Sequence, residues 1–286
     1  MKPRHFQLSL VLSVALPALL LLVAGPVGAQ EGLKIDKTMV ATLDGLDAAS
    51  LIGLRVVEGR VLVADALGHT VSLSSDQSSF RHAPPAPGPI LDFAVRFGAP
   101  VFLTAAGNLA GNVDPAWPRG PFAACSLEIA DDGALLLEGG HEALYLSPAG
   151  SAPARLPGLF PAIPLADGFL WTLSRHPVLR TWQALLLDNL GNRMQRVCRF
   201  SAQFQPEGLW LGPTGPEKEL LVSSFAEGSR WLSLVGQNGR MLWRIPAPDP
   251  LCRRDLAWAP NGDLLVLERV DGRICLRRWA FQAPEG

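Results

Sequence analysis

The sequence is poor in the side chains that catalysis and metal binding most often use. Five histidines and four cysteines are spread over 286 residues, and no two cysteines stand in the C-x-x-C spacing of a zinc or redox site. There is no G-x-S-x-G nucleophile turn, no phosphate loop and no dinucleotide-binding glycine pattern. Charge is also scarce: Asp, Glu, Lys and Arg make up 18% of the chain and the formal net charge is -1. That excludes the basic polyelectrolyte signature of a nucleic-acid binder. No helical apolar period of useful length occurs beyond the first 29 residues, which argues against long α/β units. No stretch beyond them matches the ~20 apolar residues of a membrane-spanning helix.

What is present is apolar residue, at 48%, with 28 Gly and 25 Pro. This composition suits a large core made of many short strands and turns. The stretch Leu54–Leu73, LRVVEGRVLVADALGHTVSL, is an apolar run, a turn at Glu58-Gly59, a second run, a loop at Leu67-Gly68-His69, and a third run. It reads as three antiparallel strands, and the pattern recurs five more times. The later first turns are Phe97-Gly98, Asp132-Gly133, Asp167-Gly168, Pro216-Glu217-Lys218 and Asn261-Gly262. The early turn glycines are roughly 35–40 residues apart, the period of a four-stranded propeller blade. The runs after the turns, such as VLVAD, VFLTA, ALLLE and DLLVLE, are continuously apolar, as strands buried on both faces are.

The predicted fold is therefore an all-β, six-bladed β-propeller; a β-sandwich is the alternative. The sixth unit is short of a strand, because only Gln282–Gly286 follow its third. Lys34–Leu43, KIDKTMVATL, is extended in character and is the expected donor, since an open last blade would leave an unpaired sheet edge. Blade 2 is the poorest match. Its third strand carries Gly107 and Gly111 and its end is rich in Pro, so Trp117 is expected to be exposed.

Residues 1–29 read as a signal peptide. Lys2, Arg4 and His5 precede an apolar stretch from Leu8 to Val23, and Val27-Gly28-Ala29 offers small residues for cleavage before Gln30. An uncleaved anchor is the rival reading. Residues 30–286 then form one propeller domain, periplasmic or secreted, with no membrane span in the mature chain. In an oxidising compartment Cys125, Cys198, Cys252 and Cys275 permit two disulfides. Cys125 and Cys252 precede first strands three blades apart and are not expected to pair.

Val63-Ala64-Asp65, then His69, then Val71 resembles the NHL repeat of six-bladed propellers. Blade 6, APNGDLLVLE followed by DGRICLRRW, is similar to the wider group that includes NHL and lactonase-like proteins. The resemblance implies the fold, and it covers binding modules and enzymes alike. In its pattern the histidine is a turn residue, so His69, His141 and His176 are expected in inter-strand loops. Lactonase-like relatives hold a metal in the channel, and here first strands carry Asp92, Glu128, Glu207 and Asp255. These are the candidate ligands for Ca²⁺, a hard ion that takes six to eight oxygens.

Three functional readings follow. One is a non-catalytic binding or assembly module for a protein or glycan partner, with no cofactor. The second is a channel-type metal-dependent hydrolase or lactonase. The third is a folding or envelope-assembly accessory protein. The first-turn face is expected to be acidic, through Glu58, Asp131, Asp132, Asp167, Glu217, Glu219 and Asp263. The opposite face carries Arg175, Arg180, Arg253 and Arg254, the candidate binding residues, because arginine donates in a planar fork and also stacks.

Overall fold

The computed structural model describes residues 33–282 except 45, 47–48, 75–79, 141, 149–152, 158–160, 201–204, 213–218, 227 and 237–239, and leaves the side chains of 157, 167 and 195–199 undescribed. The signal-peptide reading, the turn at 216–218, the turn at 237–239 and His141 lie outside the described residues, as does the Cys198 side chain.

Six antiparallel sheets form a ring. The first strand, β1 (Lys34–Thr42), stands apart from its sequence neighbours. Blade 1 is β2 (Leu51–Val57), β3 (Arg60–Asp65), β4 (Thr70–Ser74) and β5 (Arg81–His82). Blade 2 is β6 (Ile90–Arg96), β7 (Ala99–Thr104) and β8 (Leu109–Gly111). Blade 3 is β9 (Ser126–Ile129), β10 (Leu135–Glu138), β11 (Glu142–Leu146) and β12 (Ala154–Pro157). Blade 4 is β13 (Ala162–Pro164), β14 (Phe169–Arg175), β15 (Trp182–Asp188) and β16 (Arg193–Phe200). Blade 5 is β17 (Gln205–Leu211), β18 (Glu219–Ala226), β19 (Ser229–Gly236) and β20 (Met241–Pro246). Blade 6 is β21 (Leu256–Trp258), β22 (Leu264–Val270) and β23 (Arg273–Gln282). β1 pairs with β23 from Lys34↔Gln282 to Thr42↔Cys275, so the chain's first and last strands close one sheet.

The turns explain why these sequences make these hairpins. At Glu58-Gly59 and Phe97-Gly98 both residues have positive φ, 48° and 75° in the first and 47° and 78° in the second. That is the two-residue turn whose twist matches flanking strands. At Asp131-Asp132-Gly133 only Gly133 is left-handed. Its N–H donates to Ala130 O while Ala130 N–H donates to Ala134 O, the three-residue loop with a glycine bulge. The middle strands are buried on both faces: β10 is buried along its whole length, and Leu264–Glu268 of β22 likewise.

Blade 2 departs from the pattern. It has three strands, and the segment after β8 stands in for the fourth: Leu109 N–H donates to Arg119 O and Phe122 N–H to Gly107 O. This segment turns Trp117 inward. It is 3% exposed and packs with Ala94, Val101, Leu103 and Leu127, beneath the Arg96 guanidinium. The expectation of an exposed Trp117 is thus overturned: the missing strand leaves apolar surface uncovered, and the indole is the large side chain in reach to cover it.

The two-disulfide option is not realised by the described thiols, because Cys125, Cys252 and Cys275 are each free. Cys125 is exposed and Cys275 buried. Burial, with a smaller contribution from Asp255, pushes the Cys252 thiol up to about 12, so its thiolate is scarce at neutral pH. Alkylation of the native protein with iodoacetamide at pH 8 is expected to modify Cys125 quickly and to spare Cys252 until the protein is unfolded. Peptide mapping checks this.

Closure gives a second prediction. Deleting Lys34–Thr42 bares the β23 edge, which should aggregate or melt well below the parent chain. Thermal unfolding with light scattering measures it, and equal melting of the two chains would contradict the role of β1.

Candidate functional site

The inner strands β2, β6, β9, β13, β17 and β21 surround the channel. Their polar residues are paired with one another across blades.

Asp92 is 2% exposed. Its carboxylate accepts from Phe93 N–H, Ser126 Oγ and Leu127 N–H, and it lies 3.6 Å from an Arg55 nitrogen. Arg55 Nη2 donates to Glu128 at 3.2 Å. Arg254, from just before blade 6, pairs with the same Glu128 oxygen. Beside it Arg253 Nη2 donates to Glu138 Oε2 at 2.7 Å, while Glu138 Oε1 accepts from Ala162 N–H of blade 4 at 2.6 Å. Blade 6 therefore reaches across the axis to blade 3. Between blades 5 and 6, Arg230 grips Asp255 with two bonds of 2.5 and 2.8 Å and donates to Ser223 Oγ. Both side chains of that pair are essentially buried, at 2% and 0% exposed. Glu207, further out, lies 3.8 Å from Arg230.

Backbone contact fixes the same junction. Leu54 N–H donates to Arg254 O at 2.8 Å, joining blades 1 and 6 at the axis. Gly53 makes that approach possible: a Cβ there would lie 2.4 Å from the Arg254 Cβ, so only glycine fits.

The electrostatics follow from burial. It pulls the Arg55 guanidinium below its ordinary value, Glu128 opposes this, and the neighbouring Arg254 adds to the lowering. At Arg254 burial also acts downward, but Glu128, Asp92 and Glu138 outweigh it and hold the group above its ordinary value. Burial pushes the Glu138 carboxyl up, against the pull of Arg253 and Arg254. The Asp255 carboxyl is pushed up by burial too, against Arg230.

The four carboxylates expected to gather round Ca²⁺ thus fall into two groups. Asp92 and Glu128 share Arg55, and Glu207 and Asp255 share Arg230. Among the described residues no three His, Cys, Asp or Glu side chains stand together as metal ligands. A cation placed among them would face the arginines that already neutralise them, so the residues present do not fit a calcium site.

The candidate arginine face divides as well. Arg254 is 6% exposed and Arg253 is half-buried against Glu138; both belong to the channel network, Arg254 through Glu128 and Arg253 through Glu138. Arg175 and Arg180 are exposed and flank the loop between β14 and β15. His176 holds that loop: its Nδ1 accepts from the Val178 and Leu179 N–H groups at 3.3 and 3.2 Å, and its own N–H donates to Thr181 O. His69 is also a turn residue, with Nδ1 3.0 Å from the buried Asp65 carboxylate, whose other oxygen accepts from Leu67 and His69 N–H. The first-turn face is acidic at Glu58, Asp131 and Asp132, which are exposed.

Sequence reasoning missed Glu138 and Arg230, which sit on non-inner strands, β10 and β19. Their signal was a charge at the edge of an apolar run: Glu138 follows Leu135–Leu137, and Arg230 precedes Trp231-Leu232.

Toward the first turns the channel widens into a cavity of about 220 Å³. Arg55, Glu128 and Arg254 lie at its inner end. Val56, Ile129, Ile163, Leu165, Leu211 and Leu256 are on its apolar walls with Trp210 and Trp258, and Asp131 and Ala166 stand at the mouth.

No family model matches the chain, and no curated protein matches it. Solved structures do. A protein described as exported, from Bacteroides fragilis NCTC 9343, is 8% identical with a TM-score of 0.57, over 91% of this chain and 98% of that one. The WD40 β-propeller domain of Doa1 is 15% identical with a TM-score of 0.51, over 87% and 98%. A streptogramin B lyase is 11% identical with a TM-score of 0.50, over 89% and 99%. At such identities the likeness is one of fold: the chain is a six-bladed β-propeller.

The buried pair gives the site's prediction. Arg230→Met leaves Asp255 buried and unpaired and should cost about 3–5 kcal/mol. Arg230→Met with Asp255→Leu removes both charges and should recover most of that loss. Urea unfolding of the three proteins measures it.

Proposed function

We propose that the protein is an exported, non-catalytic binding or assembly module whose partner is a protein that docks on the loop between β14 and β15. The observation that supports this is the loop's tip. Val178 is 80% and Leu179 50% exposed, and they stand between Arg175 and Arg180 in a segment, Arg175–Arg180, without an acid. The His176 bonds described above and the Arg180 N–H bond to His176 O hold the tip in one shape. A preformed apolar tip flanked by arginines loses little entropy on docking and matches the composition of interface anchors. An apolar recess rimmed by carboxylates complements it, which favours a protein over a glycan.

Export rests on the amino-terminal sequence pattern, and a neighbour described as exported agrees with it. The absence of a membrane-spanning helix among the described residues agrees with a module that acts on other envelope or secreted components. The channel carboxylates are engaged in holding blades together, so the reading places recognition on loops, where rigid scaffolds usually carry it.

The test combines Val178→Ser and Leu179→Ser with Arg175→Glu and Arg180→Glu. Exposed substitutions usually shift stability by under about 0.5 kcal/mol each, so melting should stay close to the parent. Cross-linking in envelope extract from a photoreactive residue at position 178 should yield a defined protein adduct that the quadruple variant does not form. Adducts retained by the variant, or none with the parent, would overturn the reading.

A further inference from the structure

The connection from blade 1 to blade 2 is built unlike the strands it joins. After β5 the chain reads Ala83-Pro84-Pro85-Ala86-Pro87-Gly88-Pro89. Proline fixes φ at about −65°, and a residue before proline is pushed out of the helical region toward extended ψ. Ala83, Pro84 and Ala86 each precede a proline. The two restrictions together favour polyproline II, a helix of three residues per turn with no internal hydrogen bonds. The contacts keep that period. Ala83 N–H donates to Thr70 O and Ala86 N–H to Gly68 O, one turn apart. Both alanines are half-buried, so one edge of the segment lies on the propeller. Pro84, Pro85 and Pro87, on the other two edges, are exposed.

Further apolar surface is exposed beside these prolines. Leu67 is 57% and Leu91 39% exposed, two of the eight large apolar side chains that are exposed among the described residues. Leu67 is bracketed by bonds to the segment and its end: Gly68 O accepts from Ala86 N–H, and Ala66 O from Ile90 N–H. Its loop is held by the Asp65 carboxylate, which accepts from the Leu67 and His69 N–H groups. Leu91 is the extra residue of a bulge, where the register of β6 on β7 shifts between Ile90 and Asp92; such a bulge re-aims a side chain. The stretch Arg81–Leu91 contains no acid, and Arg81 stands exposed three residues before Pro84. The connection into blade 6 differs: in Ala247-Pro248-Asp249-Pro250 the first proline is half-buried and an acid separates the two. An exposed apolar surface on a rigid frame marks an interaction site.

We propose that Pro84, Pro85 and Pro87, with Leu67 and Leu91 beside them, form a docking ridge for a protein domain that reads polyproline II in an aromatic-lined groove. Such grooves exploit a proline-rich segment that is already in its bound shape, and the exposed Pro84-Pro85 pair supplies successive rings for one. The entropic cost of docking is low, because the prolines restrict the segment and the Ala83 and Ala86 bonds pin it. Arg81 favours a groove with a carboxylate at one end, which fixes the direction of docking. The ridge joins blades 1 and 2, whereas the loop between β14 and β15 belongs to blade 4, so the two proposed contacts stand or fall separately.

The test places a photoreactive residue at position 67 of the mature chain and cross-links it in envelope extract, with decaproline as competitor. Decaproline is itself a polyproline II helix. A defined protein adduct should form, fall several-fold with decaproline, and persist with a glycine-serine peptide of the same length. Pro84→Ala, Pro85→Ala and Pro87→Ala combined should abolish it, and Leu91→Ser should weaken it. Adducts from position 178, followed in parallel, should not respond to decaproline, which keeps the two contacts apart. Replacing prolines frees the unfolded chain and lowers stability somewhat; should the triple variant fail to fold, decaproline competition on the parent chain decides alone. No adduct at position 67, an adduct indifferent to decaproline, or one retained by a folded triple variant would each overturn the proposal.

Discussion

The ring depends on arginines buried at its axis. A propeller of short strands has little hydrogen bonding between blades, so neighbouring blades are joined mainly by side chains. Here the junctions near the axis are made by charge: blade 1 to blades 2 and 3 through Arg55, blade 6 to blade 3 through Arg253 and Arg254, and blade 5 to blade 6 through Arg230 and Asp255. The junction of blades 4 and 5 is instead apolar, with Ile163, Leu165, Trp171, Leu209 and Val222 in one cluster. Pairs of this kind add little stability over apolar residues of equal volume, but losing one partner is costly. They fix which blades face one another, and a six-fold repeat with nearly interchangeable blades needs such marks.

The same constraint explains what was legible in the sequence. Each blade's first three strands and the closure by Lys34–Leu43 could be read, because turn glycines and continuous apolar runs are local signals. Asp65 and His69 were legible as a turn for the same reason. The channel was not, since pairing there joins residues far apart in the chain: Glu138 and Arg253 meet across the ring. A carboxylate on an inner strand reads alike whether it awaits a metal ion or an arginine, and a count of first-strand acids alone leaves out the guanidinium groups that meet them. Arg253 and Arg254 resembled a surface pair because two adjacent arginines usually are one. Gly53 was the available clue, a glycine inside a strand, which marks a close backbone approach.

Trp117 teaches a related point. Composition placed it in a loop rich in Pro and Gly, and such loops are usually exposed. The deciding fact was the deficit next to it: a three-stranded blade leaves its outer apolar surface bare, and the segment that covers it must supply a large side chain. Arg96 completes the arrangement, pairing with Asp114 and lying over the Trp117 ring.

The two ends of the channel are consequently unlike. At the strand starts, buried ion pairs cross the axis and leave little freedom to move. Toward the first turns the inner strands line a cavity of about 220 Å³ with largely apolar walls. Filling that space with larger residues would have buried more apolar surface without changing a turn or a strand. The chain instead keeps Trp210 and Trp258 beside small residues there, Ala130, Ala166 and Ala257. Large side chains beside small ones leave a recess at this end, whereas at the structural end Asp92, Glu128, Glu138 and Asp255 each have an arginine partner.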